Sequence, residues 1–327
     1  MAFAGKDVRP RGTGEFMRTR KSLSLFACLT ILIVCIASFC LTGCNKGVRI
    51  NEKNFPDDTF RNYLLKEDRN GDKYLTADQL LFISGISLTG CENLEGIEHL
   101  TSLKRLTLTN CKDLSAVESA TSITSLTLVD CKNVDIDFSK LTNLHKLSIT
   151  NCEVTVDIDL SDSQTIDDIE IKESTIRNLT LNNCAILYHV YIHESTAETV
   201  KTSNCPYLNS FTVTEVQNLS SIEITECEEM GFADFANCPD LNELTLRECT
   251  TLLNLSIIYC DGVKEVDVRG CKYIWEVFNT PDALKTINST VRPGYVILVV
   301  DDHPLIRALK LPEIRIECLP DVEFITR

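Results

Sequence analysis

A short leucine pattern recurs along this chain and constrains its fold more than any other feature. Residues 103–111 read LKRLTLTNC, which has the form LxxLxLxxC. Copies in which Leu or Ile fills the apolar positions end at Cys131, Cys152 and Cys249. One such unit cannot bury its apolar side alone, so neighbouring units must stack on it. The sequence therefore predicts a solenoid, a fold that presents extended binding surfaces.

The period of the repeat predicts how the coils are built. Alternation in each unit indicates a strand, with Leu106 and Leu108 inward and Thr107 and Thr109 outward. Cysteine recurs every 20–21 residues from 91 to 152 and falls on an 11-residue lattice from 205 onward. We interpret these spacings as whole and half turns of a coil of about 21–22 residues, in about eight to nine coils. For residues 160–275 the 11-residue spacing favours strands on two faces over a helical convex side.

These patterns predict a β-rich solenoid of the leucine-rich-repeat or parallel β-solenoid class, divided into caps and coils. The coils span residues 83–287, with a small helical N-terminal cap at 44–82 and a β C-terminal cap at 288–327. Caps are needed because the apolar end of a terminal coil would otherwise meet water. In the first cap, Phe60, Tyr63 and Leu64 suit one face of a short helix that Asp57 or Asp58 begins. In the second, Tyr295–Val300 and Ile314–Cys318 read as strands.

Residues 1–43 have the organisation of a secretory signal. Arg18, Arg20 and Lys21 precede an apolar run from residue 23 to residue 41, which ends in Leu-Thr-Gly before Cys44. A transmembrane anchor is the alternative, since the run is about the length that spans a bilayer. Met17 begins a more typical signal than Met1 does, so residues 1–16 are interpreted as a start-site artefact.

The Leu-Thr-Gly-Cys44 ending resembles the lipobox of bacterial lipoproteins. The resemblance implies that Cys44 is acylated and becomes the mature N-terminus. The protein would then be exported and lipid-anchored to the cell membrane, facing outside the cytoplasm, with the lipid anchor as its contact to the membrane.

Charge and cysteine content exclude several classes of function. Residues 1–43 carry six Lys/Arg and two Asp/Glu, so removing them moves the net charge from −15 to −19. This acidity opposes nucleic-acid binding and favours basic or cation-bridged partners. Of sixteen cysteines, the three at 28, 35 and 40 leave with the signal. In the repeats after Cys44, serine or valine replaces cysteine at some roughly equivalent positions, namely Ser163, Ser174, Ser195 and Val216. Disulfides or metal ligands would not tolerate this exchange. We predict reduced, buried thiols that act as small apolar groups.

With cysteine in the Asn/Cys position, LxxLxLxxC is similar to the leucine-rich-repeat consensus. Over residues 49–290 the layout resembles secreted leucine-rich-repeat lipoproteins and internalin-like surface proteins of bacteria. The anchor, the acidity and the solenoid together favour a protein that binds an extracellular protein or mediates adhesion. A surface polysaccharide-binding protein is the alternative. A β-helix polysaccharide-active enzyme is less favoured, because the acidic residues at 157–173 alternate with Ile and Leu as on a solvated face. We expect no catalytic residues and no cofactor.

A loop in the N-terminal cap resembles the calcium loop of an EF-hand or dockerin. The candidate ligands are Asp68, Asn70, Asp72, the carbonyl of Tyr74, and Gln79. Two positions depart from the motif: Lys73 occupies the usual glycine position, and Gln79 replaces the bidentate glutamate. The sequence leaves open a weak structural calcium site or a vestigial loop, in which Thr76 and Gln79 form a capping box.

One strand carries candidate ligand-binding residues. In the segment YHVYIH, Val190 and Ile192 should point inward, which leaves Tyr191 and His193 exposed together with the nearby Tyr188. Tyrosine and histidine on a flat strand surface are typical of contact patches for proteins or glycans. An ordinary surface pair without a ligand is the alternative.

Overall fold

The computed structural model describes residues 47–260, 262–263, 265–271, 297–300 and 324–326 of the 327-residue chain. The chain divides into two compact units, Met1–Gly47 and Val48–Arg327, and every element named below belongs to the second. The predicted signal, Cys44 and most of the predicted C-terminal cap lie outside the described residues. None of the helices in the described segments has the length and apolar character that a membrane span requires.

A small helical cap precedes the coils. Its elements are β1 (Val48–Arg49), α1 (Asp58–Glu67), β2 (Tyr74–Leu75) and α2 (Ala77–Phe82), with β1 and β2 antiparallel. Helix α1 begins after Asp57, whose carboxylate accepts a hydrogen bond from the Phe60 N–H at 2.7 Å. Phe60 and Leu64 are fully buried, and the Tyr63 hydroxyl donates to the carbonyl of Gly85 in the first coil at 3.1 Å. The helical face predicted from the sequence is thus the face that packs inward.

One side of the solenoid is a parallel sheet of nine strands, sheet 1. Its strands are β3 (Gly85–Thr89), β4 (Arg105–Thr109), β5 (Ser125–Val129), β6 (Lys146–Thr150), β8 (Asp168–Lys172), β10 (His189–His193), β12 (Ser210–Thr214), β14 (Phe232–Ala236) and β16 (Asn254–Ile258). Inward positions alternate with outward ones, so that Leu106, Leu126 and Leu147 align across neighbouring strands and are fully buried.

The opposite side changes along the chain. Before β7 it is formed by 3-10 helices at Ile97–His99, Ser115–Ser119 and Phe138–Lys140. From there on it is the eight-stranded sheet 2, and the strands alternate between the two sheets as far as residue 267. The strands of sheet 2 are β7 (Ile158–Asp159), β9 (Asn178–Asn182), β11 (Thr199–Ser203), β13 (Ser221–Thr225), β15 (Glu243–Arg247), β17 (Glu265–Asp267), β18 (Ile297–Val300) and β19 (Phe324–Thr326). The prediction of strands on two faces for residues 160–275 is confirmed over the described part of that range.

The cysteines form two buried ladders, one beside each sheet. All eleven cysteines in the described part of the chain are free and buried. A typical thiol donates to the carbonyl two residues before it, as Cys131 does to Val129 at 3.3 Å. Ser174 and Ser195 take the same place, and the Ser174 hydroxyl donates to the carbonyl of Lys172 at 2.6 Å. The prediction that these thiols are buried interior groups is confirmed for the described residues, and their reduced state stays a prediction.

Each ladder position follows a sharp corner at the end of a strand. The residue before it has positive φ, a region that Gly and Asn tolerate best. Its N–H donates to the next coil, as Asn110 does to the carbonyl of Val129 at 2.9 Å. The corner residues are Gly90, Asn110, Asp130, Asn151, Asp162, Glu173, Asn183, Glu194, Asn204, Glu215, Glu226, Asn237, Glu248, Tyr259 and Gly270.

Two strands continue sheet 2 beyond the coils. The strand predicted at Tyr295–Val300 is present as β18, which pairs in parallel with β17. Strand β19 pairs with β18 and has no counterpart in the sequence predictions. The second predicted strand, Ile314–Cys318, lies outside the described residues.

Candidate binding face

The outward side of sheet 1 changes character along its length. The middle position of successive strands is Ser87, Thr107, Thr127, Ser148, Glu170, Tyr191, Thr212, Asp234 and Ser256. Small hydroxyl residues therefore occupy the start of this row, and large side chains occur on β8 and β10. We define the central patch as Asp168, Glu170, Lys172, His189, Tyr191 and His193, the six outward residues of those two strands.

Tyr191 is the centre of this patch. Its ring lies between two imidazoles, with centroid distances of 6.2 Å to His189 and 5.8 Å to His193. The ammonium of Lys172 on the neighbouring strand lies 5.3 Å from the centroid of the Tyr191 ring, within the range of a cation–π contact. These contacts restrict the ring, so less side-chain entropy is lost when a ligand covers it.

Ion pairs fix the charged residues around the ring. Asp168 accepts hydrogen bonds from Lys146 on β6 at 2.5 Å and from His189 at 3.0 Å. Partial burial raises the pKa of Asp168, but the hydrogen bonds from Lys146 and His189 outweigh it and hold that pKa below its ordinary value. The hydrogen bond to Asp168 in turn raises the pKa of Lys146. The patch is therefore an ordered array of charges around one aromatic ring.

The sequence located only part of this arrangement. Tyr191 and His193 are partly exposed beside the buried Val190 and Ile192, as alternation predicted. Asp168 and Lys172 were not assigned to the site, although they lie 21 residues before His189 and His193 and pair with them in register. Counting one coil length back from the YHVYIH segment would have identified them.

Tyr188 lies beside the patch in a different setting. It is 56% exposed and precedes β10, so it stands at the edge of sheet 1 where strands begin. Other exposed apolar residues lie within three positions of the start of β10, β12, β14 or β16. We define the apolar rim as Ile186, Tyr188, Tyr207, Phe232 and Leu253. Backbone hydrogen bonds connect this edge from coil to coil, including Asn209 N–H to Tyr188 C=O at 3.0 Å.

The acidic run at 157–173 is divided between the two sheets. Asp159 lies on β7 in sheet 2, whereas Asp168 and Glu170 lie on β8 in sheet 1. Asp157 pairs with Arg177 and also accepts a hydrogen bond from the Asn178 amide at 3.0 Å. The carboxylates that alternation placed on a solvated face thus belong to two different faces of the solenoid.

The calcium-like loop of the cap is closed by its own backbone. The Asp68 carboxylate accepts hydrogen bonds from the N–H groups of Asn70, Gly71 and Lys73, at 3.2, 3.0 and 2.7 Å. Partial desolvation raises the pKa of Asp68, but the N–H groups of Lys73 and Gly71 outweigh it and hold that pKa below its ordinary value. Asp72 accepts from the N–H of Tyr74 at 3.0 Å.

Gln79 serves the second helix. Its Oε1 accepts from the Thr76 N–H at 2.8 Å, and Thr76 Oγ1 accepts from the Gln79 N–H at 3.3 Å, which completes the capping box before α2. Gln79 is buried, and within the described residues its Nε2 has no hydrogen-bond partner. A ligand oxygen from Gln79 would have to be withdrawn from this cap, so calcium binding at Asp68, Asn70, Asp72 and Tyr74 stays a prediction.

Comparison with known proteins finds similar solved structures but no similar sequence family. No protein-family model and no curated protein matches the chain. Among solved structures, the functional domain of InlJ from Listeria monocytogenes, described as including a cysteine ladder, is similar at 13% sequence identity and a TM-score of 0.34. The match covers 79% of this chain and 83% of that one.

Proposed function

We propose that this chain is an exported surface protein that binds another protein through sheet 1, with the central patch and the apolar rim as the contact surface. The observation that carries the proposal is Tyr191, which is held between two imidazoles beside an exposed apolar edge. Tyrosine, with arginine and tryptophan, supplies most of the energetic anchors of protein interfaces. A rigid aromatic anchor next to an apolar rim suits this mode of binding.

The dimensions of sheet 1 suit such an interface. Nine five-residue strands at about 4.8 Å spacing and about 3.3 Å per residue give a face of roughly 38 by 17 Å. A stable interface buries about 800 Å² on each partner, which is of the same order as this face. The partner would therefore cover most of one side of the coils.

Charge selects the kind of partner. Without residues 1–43 the chain carries a net charge of −19, which favours a basic protein and gives an association rate that falls as salt increases. In the central patch Asp168 and Glu170 are already paired with Lys146 and Lys172, respectively. A basic partner would therefore meet an acidic protein. Around Tyr191 itself, however, the carboxylates are already neutralised by lysines.

The test is a binding screen of the full chain, kept reduced, against purified extracellular proteins and surface glycans. We expect a protein to bind, and Tyr191→Ala to weaken that binding about 30-fold, the effect of losing about 2 kcal/mol. Thr107→Ala is the matched control, because Thr107 occupies the same row of sheet 1 four strands away. Equal affinity for the wild-type chain and the Tyr191→Ala variant would reject the central patch as the binding site.

A polysaccharide is the second candidate ligand. A partly exposed tyrosine flanked by hydrogen-bonding imidazoles offers both a stacking surface and polar contacts for sugar rings. Selective binding of a glycan in the same screen, lost in Tyr191→Ala, would favour this candidate over a protein ligand.

The export and lipid anchor rest on the sequence before residue 45. Acylation of Cys44 would hold the protein on the outer side of the membrane and place the coils outside the cytoplasm. Cell fractionation tests this: Cys44→Ala should lose incorporation of labelled fatty acid and most of its association with the membrane. A Cys44→Ala protein that stays in the membrane fraction would instead favour a transmembrane anchor.

A further inference from the structure

Three side chains at one corner of sheet 1 have the composition of a metal site. His193 is the last residue of β10, Glu194 is the corner residue that follows it, and Glu215 is the corner residue of the next coil. One donor atom from each lies within 4.8 Å of the other two. We infer that His193, Glu194 and Glu215 bind a divalent transition-metal ion such as Zn²⁺. This inference does not rest on the proposed protein-binding function, although His193 also belongs to the central patch.

The imidazole is oriented for this purpose. His193 Nδ1 lies 2.8 Å from Thr214 Oγ1 on the neighbouring strand, and His193 Nε2 lies 3.4 Å from Glu194 Oε1. Metal-binding histidines commonly use one ring nitrogen for the metal and the other for a hydrogen bond that fixes the ring. Thr214 is thus a positioning residue that fixes the His193 ring through Nδ1. The other nitrogen, Nε2, faces the Glu194 carboxylate and is the proposed metal ligand.

The spacing agrees with a shared ion. Two ligands of a tetrahedral zinc at bond lengths of about 2.0–2.1 Å lie about 3.4 Å apart. His193 Nε2 and Glu194 Oε1 already have a separation of 3.4 Å. The carboxylate of Glu215 has an oxygen within 4.8 Å of both other donor atoms, so its flexible side chain can reach the same ion. A nitrogen donor with two carboxylates favours zinc, cobalt or manganese over calcium or magnesium, which prefer oxygen ligands.

The negative charge at this corner also favours a bound cation. Glu173, Glu194 and Glu215 stand at the same corner of three successive coils, about 4.8 Å apart along the solenoid. Glu173 has Lys172 beside it, whose pKa is raised first by Glu170 and also by Glu173. In the described part of the chain, Glu194 forms an ion pair only with His193, and Glu215 forms none. Adjacent like charges are destabilising, and a bound ion would offset this repulsion.

The corner geometry holds the two glutamates together. Both have positive φ, 47° for Glu194 and 58° for Glu215, and both N–H groups are bonded to the next coil. Asparagine fills several equivalent corners, at Asn110, Asn204 and Asn237. Two glutamates in succession beside a histidine are therefore a departure from the more readily accommodated corner residue.

Calorimetric titration of the reduced full chain with Zn²⁺ tests the inference, with a phosphine reductant because thiol reductants bind zinc. We expect one tight site, weakened at least about 100-fold in His193→Ala and in Glu215→Gln, and about 10-fold in Thr214→Val. Glu226→Gln is the matched control, because Glu226 is a corner glutamate of sheet 2 that follows Thr225 rather than a histidine. It should bind as tightly as the wild-type chain.

Cobalt serves as the spectroscopic probe because the chain is rich in cysteine. Co²⁺ bound by His193 and the glutamates should show weak visible bands without the intense ultraviolet charge-transfer band of thiolate ligation. An intense thiolate band, or unchanged Zn²⁺ affinity in His193→Ala and Glu215→Gln, would overturn the inference. Unchanged far-ultraviolet circular dichroism of each variant would show that the coils remain folded.

Discussion

The coils that carry β3 to β6 and the coils from β7 onward both contribute strands to sheet 1. They differ on the opposite side of the solenoid. The first group, the one-strand coils, closes with 3-10 helices, whereas the second group, the two-strand coils, closes with sheet 2. Corner residues differ in the same way. In the one-strand coils they are Gly90, Asn110, Asp130 and Asn151, all residues that tolerate positive φ. In the two-strand coils Glu and Tyr also occupy corners, including Glu226 and Tyr259.

This difference shows how strongly each kind of coil depends on corner residues that adopt positive φ by themselves. A corner in a two-strand coil is flanked by ladder-bonded strands on both sheets, which specify its backbone even when the residue disfavours positive φ. A one-strand coil has a ladder on one side only, so its corners depend more on residues that adopt this conformation by themselves. The residues at two-strand corners are thereby freer to serve other purposes, such as the glutamates at 194 and 215.

The largest expected effect concerns the aromatic core residues of the two groups. Phe211 in a two-strand coil contacts Phe235 of the next coil, with ring centroids 6.3 Å apart. Phe138 fills the 3-10 side of a one-strand coil and has no ring partner among the described residues. Either change to Ala should lower the free energy of unfolding by about 3–5 kcal/mol, with Phe211→Ala the larger by about 0.5–1.5 kcal/mol for the lost aromatic pair.

Urea unfolding of both variants checks this order. The single variant Phe235→Ala and the double variant Phe211→Ala/Phe235→Ala complete a double-mutant cycle. The cycle gives the coupling energy between the two rings. A larger loss in Phe138→Ala than in Phe211→Ala would contradict the view that the two-strand coils are the more tightly coupled part.

Sequence alone predicts the coils well because burial imposes a period that the residues must obey. The inward Leu, Ile and Val residues and the small residues of the ladders recur at fixed spacing, and register follows once these rows align, as at Leu106 and Leu126. The 3-10 helices were not predicted, since single turns such as Ser115–Ser119 are too short for a periodic pattern. The central patch depends on contacts between strands one coil apart, so alternation found Tyr191 but not its contact with Lys172.

Ion pairs give the next comparison. In the two-strand coils Asp267 has a side chain only 10% exposed and accepts hydrogen bonds from Arg247 and Arg269. In the one-strand coils Glu118 pairs with Lys140 on a more exposed surface. Asp267→Asn should lower the free energy of unfolding at neutral pH by about 1.5–3 kcal/mol, whereas Glu118→Gln should lower it by no more than about 1 kcal/mol.

The effect of Asp267→Asn should depend on pH. Partial burial raises the pKa of Asp267, but Arg269 and Arg247 outweigh it and hold that pKa below its ordinary value. A carboxyl with a depressed folded-state pKa stabilises the fold above its unfolded pKa of about 3.9 and loses that contribution as pH falls through the folded pKa. The wild-type chain and the variant should therefore converge in stability in acid, as measured by urea unfolding at pH 7 and below pH 4. A gap that stays constant over this range would contradict the assignment.

The buried ladder beside sheet 1 continues from the one-strand coils into the two-strand coils, and this junction gives a third test. Cys152, after the last one-strand coil, donates its N–H to Ser174 Oγ at 3.0 Å, and Cys131 donates its N–H to Cys152 Sγ at 3.3 Å. Ser174→Ala leaves the buried N–H of Cys152 without an acceptor and should lower the free energy of unfolding by about 1–3 kcal/mol. Ser174→Cys restores an acceptor of the kind used between Cys131 and Cys152, so it should lower the free energy of unfolding by less than Ser174→Ala does. Equal unfolding midpoints for the two variants would show that this hydrogen bond does not matter.

The smallest expected effect tests the corners themselves. Glu226 has a φ of 56° in sheet 2, one coil after Asn204, whose amide donates to Asn183 Oδ1 at 2.9 Å. Glu226→Asn should stabilise the fold by about 0.5–1 kcal/mol, because Asn tolerates positive φ and its amide would extend this row of hydrogen bonds. The reverse change, Asn204→Glu, should destabilise the fold by a similar amount and serves as the control in thermal unfolding. If two flanking ladders fully specify a corner, neither variant will shift the melting temperature, and the advantage of Asn at one-strand corners must then come from their single-ladder setting.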